Sequence, residues 1–188
     1  MILFINACVR RESRTKRLAD CLLDTLGEPV TELRLEDCAF PAVDGAFLEK
    51  RDRLIAAEAW DDPLFAPARQ FAAADAIVIA APFWDLSFPA ALKQYFEQIN
   101  VVGLTFSYTA EGVPRGLCRA KTLYYVTTAG GGFAPEDYGF GYVRALAQGF
   151  YGIRDAELIR ATGLDVDGAP VESLLQACEA DIARRFRR

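Results

Sequence analysis

Five short apolar runs, separated mostly by helical patterns, constrain this chain more than any other feature. They fall at Ile2 to Ala7, Val30 to Leu35, Ala76 to Ala81, Thr122 to Thr127 and Glu157 to Ala161, and they are rich in Val, Ile, Tyr and Phe. Strands that alternate with helices argue for a parallel α/β sheet, and right-handed crossovers cover it on both faces. The chain has 188 residues, enough for one such domain with a sizeable core and too few for two, so a single domain over 1–188 is expected. With 52% hydrophobic and 25% charged residues, no low-complexity stretch and no linker-like segment, it reads as compact.

Helix signals fill the gaps. Ser13 to Leu26 places Leu18, Cys21, Leu22, Thr25 and Leu26 on one face before Gly27 stops it. Val171, Leu174, Leu175, Cys178, Ile182 and Phe186 give the last helix, whose carboxyl end carries the pairs Arg184-Arg185 and Arg187-Arg188. Two segments break the alternation. Between Phe40 and Phe71, a helix over Ala46 to Trp60 and a second start at Asp61-Asp62-Pro63 form a long insertion of the kind that covers a site or meets a partner. Leu104 to Thr109 alternates apolar and polar residues ahead of Glu111-Gly112, which reads as a short ribbon.

Several function classes are excluded by composition. A net charge of -5 leaves no cationic footprint for nucleic acid. No apolar stretch approaches the roughly 18 residues of a membrane helix, and the chain opens directly on a strand, so no membrane span is expected and the cytoplasm is. Five scattered cysteines without a Cys-x-x-Cys pair fit reduced thiols, and the absence of histidine removes the commonest metal ligand and the base of serine-protease-type triads. No metal site is expected.

In a sheet of order 2-1-3-4-5, the loops after strands one, three and four meet where the strand order reverses, and ligands bind in that crevice. The first loop, Cys8 to Lys16, runs into a helix start. There Ser13, Arg14, Thr15 and Lys16 are suited to a phosphate, although Ser13 is also a plain helix cap. The second, Pro82-Phe83-Trp84-Asp85-Leu86-Ser87-Phe88-Pro89, offers an aromatic wall between stiffening prolines. The third, Thr127-Thr128-Ala129-Gly130-Gly131-Gly132-Phe133, lets bare backbone approach a planar ring.

These residues resemble the FMN-dependent NADH azoreductases within the flavodoxin-like NAD(P)H:quinone oxidoreductases. The likeness is most specific from Pro82 through Ala90-Ala91-Leu92-Lys93-Gln94-Tyr95-Phe96, and continues through Gly103 to Thr109, Gly116-Leu117 and Thr127 to Gly131. It implies a flavodoxin-like three-layer sandwich with strand order 2-1-3-4-5. It also implies a homodimer with one FMN per subunit, reduced by NADH or NADPH and reoxidised by a quinone or azo compound in ping-pong two-electron transfer. Carried over by motif, Ser13, Arg14 and Thr15 match the phosphate loop, Pro82, Phe83, Trp84 and Asp85 the loop beside the flavin ring, and Thr128, Ala129, Gly130 and Gly131 the loop at its pyrimidine edge. Phe106 matches an aromatic of the substrate pocket supplied by the partner subunit. The chemistry belongs to the flavin, so no catalytic side chain is named. Asp85 stands where the family often has asparagine, which would bring a carboxylate near the ring, and Ala129 replaces a residue often larger or charged.

Two other readings compete. A flavin-binding electron carrier or redox sensor would use the same three loops without turning over small substrates. Cys8 to Thr15 also fits Cys-x5-Arg-Thr, the pattern of low-molecular-weight tyrosine phosphatases, with Cys8 as nucleophile and Arg14 on the phosphoryl oxygens. Against it, the loop lacks glycine and carries Glu12.

Overall fold

A computed structural model describes residues 1–187; Arg188, the last residue of the basic tail, lies outside the described residues. The strands that form the main sheet are β1 (Ile2–Asn6), β2 (Val30–Arg34), β3 (Ala76–Ala80), β6 (Thr122–Thr128) and β7 (Asp155–Ala161). They lie in the order β2-β1-β3-β6-β7, all parallel, which is 2-1-3-4-5 counted among themselves. The expected order therefore stands. Only the last strand differs appreciably, beginning at Asp155 rather than Glu157, because β6 pairs with it along its full length from Thr122.

Residues of β1 alternate between two cores. Leu3, Ile5 and Ala7 pack toward α3 (Ala66–Ala73), α4 (Ala90–Ile99) and α5 (Phe140–Leu146), whereas Ile2, Phe4 and Cys8 pack toward α1 (Arg14–Leu26) and α6 (Val171–Phe186). Burial on both faces makes the apolar runs continuous and fixes their register, since a one-residue slip would exchange the two cores. Helix α1 is capped by Ser13, whose hydroxyl accepts the Lys16 amide, and it ends at Gly27 with φ 64, a left-handed conformation open to glycine. Arg17 bridges from α1 to Glu172 and Glu179 of α6, and Arg185 near the end of α6 reaches Glu157 of β7.

Within the insertion, α2 spans Gly45–Ala56 rather than running on to Trp60. Ala57 caps it, and Glu58 turns left-handed at φ 50, so the chain reverses before the short helical turn Pro63–Phe65. Gln94 and Gln98 of α4 tie this segment down through the Phe40 and Pro41 carbonyls. It thus covers the α3–α4 layer of the core. The ribbon pairs β4 (Phe106–Tyr108) with β5 (Pro114–Gly116), and Gly116 lies so close to the Tyr151 and Gly152 backbone that a Cβ would overlap it.

Candidate functional site

Parallel strands end together at one edge, and the register carries their pairing past the strands into the loops. Ala7 donates to the Ala80 carbonyl at 2.9 Å, Ala81 to Val126 at 3.0 Å, Phe83 to Thr128 at 3.0 Å and Ala129 to Ala161 at 3.0 Å. The loops after β1, β3, β6 and β7 are thereby set side by side around a cleft of about 330 Å³. That volume lies at the lower end of the range for small-molecule sites.

The first wall is the start of α1. Ser13 accepts the Lys16 amide on its hydroxyl at 3.2 Å and the Arg17 amide on its carbonyl at 3.0 Å. The amides of Arg14 and Thr15 remain as the orphan donors of the first turn, and no acidic residue occupies that turn. A helix start of this composition favours an anion. Thr15 is 1% exposed, and its hydroxyl meets that of Thr128 at 2.6 Å, joining the first loop to the third.

Pro82, Phe83 and Trp84 form the second wall. Trp84 and Ser87 exchange backbone hydrogen bonds of 3.1 and 2.7 Å around a two-residue turn in which Asp85 has φ 49 and Leu86 φ 68. Two positive φ angles define a type I′ turn, a geometry that normally takes Asn-Gly. Asp85 stands at the first position, where a short polar side chain tolerates the left-handed region, and it is exposed outside the cleft walls. Asp85, expected beside the ring, does not line the cleft of this chain. Ser87 anchors the turn by donating its hydroxyl to the Tyr138 carbonyl at 2.7 Å.

Thr128, Ala129 and Gly130 supply the third wall, while Gly131 faces away and accepts the Gly163 amide at 3.0 Å. The fourth was not read from the sequence. Leu164 and Asp165, after β7, run along the glycine loop through Leu164 to Ala129 at 3.2 Å and Asp165 to Gly130 at 2.9 Å. Arg14 reaches both, donating to the Leu164 carbonyl at 3.1 Å and to the Asp165 carboxylate at 2.7 Å. The available signal was Gly163-Leu164-Asp165 directly after a strand that ends at the same edge. Cys8, Val9, Arg10 and Glu12 complete the lining.

Phe106, expected in the pocket of a partner subunit, does not line the cleft of its own chain. Its ring is 5% exposed and stacks on Phe150 at 4.7 Å within the same subunit, so it is committed to the packing of the ribbon; Tyr108 is the ribbon's exposed ring. Nor does any residue of the insertion from Phe40 to Phe71 line the cleft, so that segment does not enclose it. The phosphatase arrangement also fails. Burial pushes the Cys8 thiol above its ordinary range, outweighing the hydrogen bond from Ser13 that lowers it, whereas a nucleophilic cysteine needs the opposite shift. Asp62-Pro63, the Asp-Pro pair in which such a phosphatase's acid would be sought, lies apart: Asp62 accepts the Leu64 amide at 2.9 Å and lines a different groove with Phe40 and Lys50.

The cleft therefore combines an anion-binding helix start, an aromatic wall and a bare-backbone edge, which together suit a planar ring carrying a phosphate. A family model described as the flavodoxin-like fold matches residues 1–186. The FMN-dependent NADH:quinone oxidoreductase of Clostridium beijerinckii is 38% identical over 189 residues, covering 93% of this chain and 92% of that protein. Its namesake in Clostridium perfringens is 36% identical over 184 residues, with 93% and 92% covered. Among solved structures, an azoreductase from Bacillus anthracis superposes with a TM-score of 0.85 at 25% identity, covering 99% of this chain and 98% of that one. An FMN-dependent NADH-azoreductase from the same species, solved with FMN, shares the fold at a TM-score of 0.79 and 22% identity, with 97% and 96% covered.

Proposed function

The chain belongs to the family of the flavodoxin-like fold, and from that premise we propose that it is an FMN-dependent NAD(P)H oxidoreductase that reduces quinones or azo compounds. NADH is the donor that its relatives' names give. The observation that carries the reading is the convergence of the α1 start, the Phe83-Trp84 wall and the Ala129-Gly130 backbone on one cleft.

The residues present fit the group. The free amides of α1, the Ser13 hydroxyl and the Arg14 guanidinium would hold the phosphate. Phe83 and Trp84 would lie against the ring, and the backbone at Ala129 and Gly130 would meet its polar edge. FMN supplies the two-electron hydride chemistry when bound. The chain's contribution is to bind, orient and exclude water: Thr15 and Thr128 lock the first loop to the third, and Ser87 locks the second to the residues that follow the third. Donor and acceptor would visit the bound flavin in turn, the ping-pong order that the family resemblance implies. The cleft's Phe83-Trp84 wall favours flat, aromatic acceptors.

A homodimer is part of the proposal. Trp84 of the cleft wall, Leu86, Phe133 and Tyr138 are exposed, Phe133 to 78% and Tyr138 to 59%, apolar surface that a second copy would cover. We place the enzyme in the cytoplasm, a reading supported by its free cysteines. No helix among the described residues is long and apolar enough to cross a membrane.

The test is to purify the protein without added cofactor, record its visible spectrum, add NADH without oxygen and then a quinone. A yellow preparation that releases FMN, bleaches with NADH and recovers with the quinone is the expected result. A protein that stays colourless after incubation with FMN overturns the proposal, and one that bleaches only with a protein donor is a carrier instead.

A further inference from the structure

Two cations line the cleft, Arg10 and Arg14, and of these only Arg14 is held by an ion pair among the described residues. Its anchor comes from 151 residues away. One guanidinium nitrogen, Nη1, serves both the Leu164 carbonyl at 3.1 Å and the Asp165 carboxylate at 2.7 Å. A guanidinium has five N–H donors in a rigid plane, so the two used here fix its orientation and leave those of Nε and Nη2 for a ligand.

The anchor is itself built in. Gly163, Leu164 and Asp165 each donate a backbone hydrogen bond to the glycine loop, at Gly131, Ala129 and Gly130. The Asp165 carboxylate fills the space in which a Cβ on Gly130 would stand. Glycine at that position thus admits the carboxylate. The pair contributes little to folding, because its side chains are 41% and 67% exposed. Its consequence lies in the site.

We propose that Asp165 is a positioning residue for anion binding, holding Arg14 in the orientation in which its free N–H groups serve a phosphate at the α1 start. The assignment rests on the flavin reading of the cleft. Without Asp165 the long Arg14 side chain regains rotamer freedom that ligand binding must remove again. The carboxylate also repels a phosphate, but at this exposure salt screens that effect, and the asparagine variant isolates it.

The experiment titrates FMN and riboflavin, which lacks the phosphate, into the cofactor-free protein and its variants by flavin fluorescence. Asp165→Ala weakens FMN by about 5- to 10-fold and leaves riboflavin unchanged. Asp165→Asn, which keeps an oxygen acceptor without the charge, stays within about 3-fold of the parent. In an Arg14→Ala background, Asp165→Ala has no further effect. Gly130→Ala, which displaces the carboxylate, also lowers the preference for FMN over riboflavin. The assignment is overturned if Asp165→Ala binds FMN as tightly as the parent, if riboflavin is lost equally, or if the loss persists without Arg14. A parent protein that binds neither flavin instead overturns the flavin reading, and this assignment with it.

Discussion

Replacing Thr15 by valine preserves its shape and deletes the hydroxyl that meets Thr128 at 2.6 Å. Thr15 is 1% exposed, so water cannot substitute on its side, and Thr128 is half-buried, so its own hydroxyl is left only partly solvated. The lost hydrogen bond removes about 1 kcal/mol and the stranded hydroxyl adds about 0.5–1 kcal/mol, giving a loss near 1.5–2 kcal/mol. In a domain of this size that lowers the melting temperature by about 3–8 °C. Thr128→Val alone is worse than neutral for the same reason, because it strands the more deeply buried Thr15. Replacing both partners leaves no orphan, so the double variant is less destabilised than the sum of the singles by about 1–2 kcal/mol. Urea unfolding of the four cofactor-free proteins measures the cycle. Additive losses, or a single Thr15→Val effect below about 0.5 kcal/mol, refute the claim that this bond joins the two loops. Since the bond fixes the spacing of the phosphate and ring-edge loops, Thr15→Val also weakens FMN binding, whereas loss of stability without loss of affinity would separate the tie from the site.

Other perturbations follow from groups that the fold leaves strained or unsatisfied. The Tyr95 hydroxyl is fully buried with no partner among the described residues, so Tyr95→Phe raises stability by about 1 kcal/mol in thermal unfolding, and a loss would reveal a missed partner. Leu86→Gly relieves a left-handed leucine at φ 68 and stabilises by about 0.5–1 kcal/mol despite glycine's added freedom in the unfolded chain; an unchanged melting temperature would show that the turn stores no strain. Burial pushes the Cys118 thiol up to about 12 and Cys178 to about 11 from 9.0. The unfolded thiols ionise first, so their contribution is complete below pH 9 and is lost as pH rises toward 11–12. Urea midpoints measured from neutral pH upward should decline from there, and Cys118→Ala should lose part of that slope.

What was legible in the sequence is what local signals encode. A strand buried on both faces writes itself as a continuous apolar run, and the loops that follow Ala7, Ala81 and Thr128 could be assigned to one edge once the strand order was taken as 2-1-3-4-5. The role of Asp165 was not legible, because it arises from the pairing of Thr128 with Ala161 across two strands, which lays one loop along another. The packing of Phe106 was not legible for a related reason: an exposed and a buried ring look alike in a three-residue ribbon, and Phe150, on which the Phe106 ring stacks, is far away in sequence.

Thr15 is the instructive case, because the information was present and pointed elsewhere. Read as one of a run of hydroxyls and cations, it joins Ser13 and Arg14 as a phosphate ligand. Read by helical phase, it stands three, four and seven residues before Leu18, Ala19 and Leu22, all of which are buried on the same face of α1. A hydroxyl on that stripe points at the sheet, where it must find a partner or destabilise the fold, and Thr128 at the end of β6 is that partner. The backbone of the same residue nevertheless remains at the helix start with its amide free for an anion. In the proposed site one position thus offers its N–H to the anion and its side chain to the scaffold, so composition near a helix start cannot assign a side chain's role until its phase on the helix is taken into account.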